Sequence, residues 1–170
     1  MTQALLGTKQ QFAEALGREH TRSLRVLRAY PDDQSDFRPH EKSRTARELA
    51  WPIVLGEERL MVKALTTGFD WSKPPGAPPA PPAAMSEIAR ALEEAHAKVV
   101  SALDAADDAK LAGTVKFFVG PKTLADVPLP EFLWYILFDQ IHHRGQLSVY
   151  LRIVGKVPAV YGPSGAEPWT

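Results

Sequence analysis

The sequence predicts an all-α fold, a four-helix bundle, and three observations predict it. Four stretches of the 170 residues repeat their apolar side chains at the three-and-four spacing of a helix. Only one short run, TVKFFV at 114–119, reads as extended. A composition of 45% hydrophobic and 24% charged residues is that of a globular chain with enough apolar surface for one core.

The first helix is expected from about Thr8 to Tyr30. Phe12, Leu16, His20, Leu24 and Leu27 make one stripe with a histidine in it, and Pro31-Asp32-Asp33 ends it. The second runs from about Thr45 to Thr66. Thr45 and Glu48 have the spacing of a capping box, and Leu49, Val54, Leu55, Leu60 and Leu65 supply the apolar face. Pro52 sits inside this pattern. A helix-interior proline costs roughly 3 kcal/mol, so either the helix kinks there or it starts late, with Pro52 in its first turn. Six prolines between Trp71 and Pro82 make a stiff crossover, polyproline II in part. The third helix, from about Ala84 to Ala105, carries Ile88, Leu92, His96, Val99, Val100 and Leu103 on its stripe. The extended run follows, with Phe117 and Phe118 placed to cover an end of the core. One such run makes no sheet by itself. The fourth helix runs from about Pro130 to Val154, with proline in its first turn and Gly155 and Pro158 at its stop. The tail from Lys156 to Thr170 is irregular, and Trp169 is expected to pack back or lie at an interface. The linkers do not separate two cores, so residues 1–170 are expected to form a single domain.

Composition excludes several functions. There is no cysteine, so thiolate metal sites, iron–sulfur clusters, disulfides and cysteine nucleophiles are ruled out. Lys plus Arg and Asp plus Glu are each 20, and the zero net charge with no basic stripe argues against nucleic acid. No apolar run is long enough to span a membrane, and Met1–Lys9 lacks the pattern of a secretory signal, so a cytoplasmic protein is expected. No G-x-G-x-x-G, P-loop, H-E-x-x-H or G-x-S-x-G is present. Glu57, Glu58 and Arg59 read as a charged helix face, and His40 as a solvated loop residue.

The chemistry lies in FDQIHHRGQLSVYLR, 138–152. At 100° per residue Asp139, His142, His143, Gln146 and Tyr150 fall within about 100° of one another, Tyr135 joins them, and Arg144 points nearly opposite. On this reading the last helix turns its acidic and imidazole groups into a polar pocket inside the bundle. Arg144, on the outer side, would pin a neighbouring helix or a partner subunit. Asp139 and His143 are one turn apart and can share an ion, their oxygen and nitrogen suiting Zn, Ni, Fe or Mn better than Ca. They can equally form a plain buried pair whose network continues through Gln146 and Tyr150. A metal would need a third ligand from elsewhere, His20 and His96 being the histidines on other stripes.

The run from Asp139 to Ser164, the helix order and the TVKFFVG loop resemble the DinB-like (DinB/YfiT) superfamily over nearly the whole chain. The resemblance implies a four-helix bundle in up-down-down-up order, a homodimer, and a divalent metal held by three side chains. It implies small-molecule chemistry, since relatives include thiol-dependent transferases and an isomerase. Its ligand positions fall on Asp139 and His143, with Gln146 and Tyr150 as donors around them and His142 as a base or ligand partner. Its helix-two ligand, in a pattern like E-L-A-W-H, falls on Pro52 of Glu48-Leu49-Ala50-Trp51-Pro52, which has no donor. Either Glu48, His20 or His142 completes the site, or the metal is weak or lost. The expected function is therefore a metal-dependent transferase using a small thiol cosubstrate, with a degenerate site. The alternative is a non-catalytic dimeric bundle that binds a small ligand or a protein partner.

Overall fold

The structure, a computed structural model, describes residues 7–73, 76–158 and 160. Helix α1 spans Lys9–Ala29. Thr8 caps it: its hydroxyl accepts from the Gln11 amide while the Gln11 side chain accepts from the Thr8 amide at 2.7 Å. A single 3-10 turn, Asp32–Gln34, follows Pro31. Asp32 then accepts from both the amide and the hydroxyl of Ser86, which ties the end of α1 to the start of a later helix.

The second helical rod is continuous but not uniform. Helix α2 (Ala46–Leu55) passes into a π-helical segment, Gly56–Met61, and then into the last turns of α3 (Val62–Leu65). The Thr45–Glu48 capping box forms in both directions. The rod does not start late, because Pro52 lies well inside α2. Its ring supplies no amide to the turn before it. The widening falls four residues later, where the Val62 amide bonds the Glu57 carbonyl five residues back.

From the proline-rich crossover, Pro74 and Pro75 lie outside the described residues. Residues 76–84 have no regular structure and run as a strap across α2. Side chains hold it by its carbonyls: Arg59 donates to Gly76 and Ala77, Trp51 to Pro79 and Arg47 to Pro81. Helix α4 is Met85–Ala105, and α5 is one turn, Asp108–Leu111.

The extended run does find a partner. β1 (Thr114–Gly120) pairs antiparallel with β2 (Thr123–Pro128). The second strand, TLADVP, has too little alternation to stand out in the sequence. Phe117 is buried in an aromatic cluster with Phe69, Trp71 and Phe132, whereas Phe118 is largely exposed. Helix α6, Leu129–Ile153, closes the fold. Trp169 and the end of the tail lie outside the described residues.

The molecule is mostly helical. α1 packs on α4 and α6, and α2 packs on the same two. The interior divides into two apolar clusters. One gathers Phe12 and Leu16, Met61 and Leu65, Val99 and Leu103, and Phe132 to Leu137. The other gathers Leu24 and Leu27, Leu49 to Val54, Met85 to Ala95, and Leu147 and Leu151. Between them every long helix turns a polar side chain inward: Glu19, His20 and Ser23 from α1, Glu57 from the π segment, His96 from α4, Gln140 and Arg144 from α6. Among the described residues no helix is long and apolar enough to cross a membrane.

Candidate functional site

The polar belt contains a set of donors suited to a metal. One donor atom each from His20, Glu57 and His96 lies within 4.8 Å of the others. The His20 and His96 rings stack at 3.7 Å between centroids and 8° between planes. Glu57 Oε2 stands 3.3 Å from His96 Nδ1. The Glu57 side chain is only 1% exposed. All three atoms, Glu57 Oε2 and the Nδ1 atoms of both histidines, are buried; Glu57 Oε2 and His96 Nδ1 face only each other, and His20 Nδ1 has no hydrogen-bond partner. An unpaired buried polar atom costs about 1–3 kcal/mol, so the lone His20 nitrogen beside the long Glu57–His96 contact calls for a further partner.

The site's electrostatics follow from that burial. Desolvation pushes the Glu57 carboxyl above the usual carboxylate range, and His96 and then Gln140 pull against it without prevailing. His20 is lowered to about 4, by burial first and then by the neighbouring His96 and Arg28, so it is a neutral ring at pH 7. Two nitrogens and one oxygen in a dry setting form a donor set for Zn, Fe, Ni or Mn, and facing helices of a bundle are where such sites are built. Tetrahedral ligands of one ion stand roughly 3.4 Å apart, so the donors need only small side-chain rotations to converge. Parallel rings aim their lone pairs side by side, so one imidazole must tilt out of the stack to share an ion.

Around this point the belt is firmly tied. Arg144 pairs with Glu19 at 2.6 Å and donates to the Glu19 carbonyl and to the Ser23 hydroxyl. Gln140 donates to the Ile53 carbonyl at 3.1 Å. Gly56 is required beside it: a Cβ there would stand 3.0 Å from Ile136 Cγ2 and 3.3 Å from Gln140 Nε2.

Two expectations are corrected here. Arg144 does not lie on the outer side of the last helix. It is buried and holds a neighbouring helix from within. Glu57 is not part of a charged outer face, although its neighbours are: Glu58 pairs with Lys98, and Arg59 holds the strap. The reason is the same in both cases. Each helix must present something to the middle of the interior, and these residues fall on the inner line of their helices.

The sequence-predicted group on α6 therefore lies on the other side of that helix from the belt. Asp139 and His143 do come together, with His143 Nε2 at 3.4 Å from Asp139 Oδ2. The ring is largely buried and the carboxylate half exposed. Contact with His143 is the main reason the Asp139 carboxyl is held below its usual range. His142 and Gln146 are exposed, and the Gln146 amide meets the His142 ring at 2.9 Å. Tyr150 donates to the Arg44 carbonyl at 3.3 Å. Glu48 is engaged with Thr45 in the helix cap. Two depressions flank the Asp139–His143 pair. Pro52, Trp71, Ile136 and Asp139 line one; Arg44, Leu49, His142, His143 and Tyr150 line the other. Pro52 thus shares a cavity with Asp139 and adds only carbon to it.

Sequence reasoning placed His20 and His96 on inner stripes but did not join them, and it missed Glu57. The available signal was the interruption of each apolar stripe at mid-helix. Glu57 stands four residues after Ile53 and three after Val54, on the buried line of an ordinary helix, a signal that its charged neighbours Glu58 and Arg59 masked.

Comparison with known proteins gives a consistent picture. A profile of the DinB superfamily matches residues 15–147. Among solved structures, a DinB-like protein of Bacillus cereus superposes with a TM-score of 0.72 at 23% identity, covering 89% of this chain and 97% of that one. A DinB-like protein of Bacillus subtilis gives 0.65 at 18% identity, over 85% and 92%. A conserved protein of Enterococcus faecalis gives 0.60 at 19%, over 88% and 98%. At these identities the likeness is one of fold. No curated protein matches.

Proposed function

The chain belongs to the DinB superfamily, and from that premise we propose that it binds one divalent transition-metal ion in the bundle interior, on His20, Glu57 and His96. The observation that carries this reading is the convergence of three buried donor atoms from three helices, one of them, His20 Nδ1, without a hydrogen-bond partner. The position where the family resemblance calls for a helix-two ligand is Pro52, so the half-buried pair Asp139–His143 holds an ion poorly by itself. The finer reading is group transfer with a small thiol cosubstrate, since the chain has no thiol. A bound divalent ion lowers the pKa of a thiol or water in its open position. In this reading Gln140 orients Glu57, and Asp139, His142, Gln146 and Tyr150 make contacts with the organic substrate outside the metal centre.

Elemental analysis of protein equilibrated with Zn, Ni, Fe or Mn and then desalted tests the metal. One ion per chain is expected, and a stoichiometry near zero for all four removes the proposal. Consumption of a small thiol in the presence of an alkyl or epoxide electrophile tests the transfer. Pro52→His adds a sharper probe, because it restores a three-ligand set with Asp139 and His143. It should raise the ion count from one to two per chain. No second ion would mean that Pro52 is not the family's ligand position.

A second reading has its own support. α6 exposes Tyr135, Phe138, Val149 and Ile153 with His142 and Gln146 between them, a helix-spaced apolar stripe open to solvent. We propose that this single-domain bundle, in up-down-down-up order, pairs with a second copy along that stripe and works in the cytoplasm. Gly145 lies beside the stripe with nothing near its Cβ position, which leaves room for a close helix approach. Sedimentation should give a dimer, and Phe138→Glu with Val149→Glu should give a folded monomer. A wild-type monomer at tens of micromolar would contradict the pairing.

A further inference from the structure

The cavity under the proline-rich strap has no part in the metal centre, and its chemistry is distinct. It encloses about 230 Å³ between α2, the π segment, α6 and the strap. That is below the roughly 300–1,000 Å³ of sites for drug-sized molecules, so its occupant is small. Its walls are mostly carbon: Pro52, Leu55, Leu60, Trp71, Pro78 and Ile136. Two charged side chains reach it, Arg59 and Asp139.

These two charges are not equivalent. The Arg59 guanidinium is committed to the wall, donating to the Gly76 carbonyl at 2.9 Å and to the Ala77 carbonyl at 3.3 Å. Prolines leave the strap few amides of its own, so such side-chain bonds are what hold it in place. Trp51 does the same at Pro79 and Arg47 at Pro81. Asp139 faces the His143 ring at 3.4 Å, with His142 and Arg44 acting on it more weakly, and its carboxylate is half exposed. The cavity therefore sets one carboxylate acceptor at its rim opposite a guanidinium that keeps its charge but has donors engaged with the strap, around an apolar depression with an indole in its wall.

We propose that this cavity binds a small organic monocation, an amine on an apolar or aromatic body, with the ammonium group on Asp139 and the body against Trp71 and Pro78. A bare or hydrated metal ion is a poor occupant, because it needs several oxygen or nitrogen donors and Pro52 and the leucines give none. An ammonium on a hydrocarbon body needs one carboxylate and a dry wall, which are the two things present. An aromatic wall adds attraction for the cation. The inference stands apart from the metal proposal, because none of the cavity's lining residues is a ligand of the buried centre.

Benzylamine is the probe, with benzyl alcohol and benzoate as neutral and anionic bodies of the same shape. The full chain is titrated with each, following tryptophan fluorescence and calorimetric heat. Benzylamine should saturate one site, at least about tenfold tighter than either analogue. Asp139→Asn should bring benzylamine down to the affinity of benzyl alcohol. Leu60→Trp, which fills the chamber and leaves the carboxylate alone, should abolish binding of all three. Thermal melts of both variants verify that the fold is retained. Equal binding of benzylamine and benzoate, unchanged binding in Asp139→Asn, or no saturation by benzylamine in the millimolar range would each overturn the proposal.

Discussion

Glu57 is the residue on which the interior chemistry depends. A carboxyl group with its pKa raised by burial keeps its proton in the folded state at a pH where the unfolded chain has lost it. Its contribution to stability is thus present below pH 4.5 and is lost as pH rises toward the folded value. Replacing it with the isosteric amide removes that slope. Without metal, the stability of wild type relative to Glu57→Gln should fall as pH rises above 4.5, measured by thermal melts across that range. His20 has the opposite sign. With its folded pKa lowered from 6.5 to about 4, the unfolded chain binds more protons between those values, so stability falls as pH drops through that window. His20→Asn should remove this fall relative to wild type, measured by urea titration at pH 4.5 and 6.5. Arg144 is a third case. With Arg22, which holds the other carboxylate oxygen, it makes Glu19 tolerable in the interior, and the Arg144 and Glu19 side chains are both nearly buried. Arg144→Ala leaves the Glu19 carboxylate to Arg22 alone and strips the Glu19 carbonyl and Ser23 hydroxyl of their donor, and should cost about 2 kcal/mol in urea unfolding. A loss no larger than that of an exposed pair would mean that water reaches Glu19.

At the scale of elements, the second rod shows most clearly how local rules and tertiary packing compete. Pro52 leaves the helix one amide short, yet the rod continues through it. Packing of Ile53 and Val54 on one side and the strap on the other holds it there. Pro52→Ala should therefore stabilise by about 1 kcal/mol or more, the part of the roughly 3 kcal/mol penalty that packing has not already absorbed. Gly56 shows the reverse competition. Its backbone is ordinary helix, φ −58, so alanine would gain in propensity. The 3.0 Å approach to Ile136, itself buried, outweighs this, and Gly56→Ala should lose about 1 kcal/mol or more while displacing Gln140. Helix ends, the Thr45 cap and the four long helical stretches were legible in the sequence because caps and apolar period are local. The strand TLADVP was not, because its pairing with β1 is what makes it a strand. The direction of Glu57 was legible too, four residues after Ile53 and three after Val54 on the buried line of α2, but its charged neighbours Glu58 and Arg59 pointed to an outer face.

For the whole molecule, the polar belt explains why the candidate site was only half legible. The wheel of the last helix grouped Asp139, His142, His143, Gln146 and Tyr150 correctly by angle. Angle alone does not say which face the other helices cover. The rods packed on it decide that, and α1 and α2 cover the face of Gln140 and Arg144. His20 and His96 were visible as exceptions on inner stripes, but their meeting depends on how α1 and α4 pack. The belt crosses all four rods between two apolar clusters, so the clusters should unfold together, in one urea transition by fluorescence and by circular dichroism alike. The most direct measurement of the central claim is zinc content after equilibration and desalting, in wild type and four variants. The account predicts one ion per chain in wild type, Asp139→Asn and His143→Ala, and none in Glu57→Gln and His96→Ala. An ion that survives Glu57→Gln and His96→Ala but is lost with Asp139→Asn would put the centre on the surface of α6 and contradict the account.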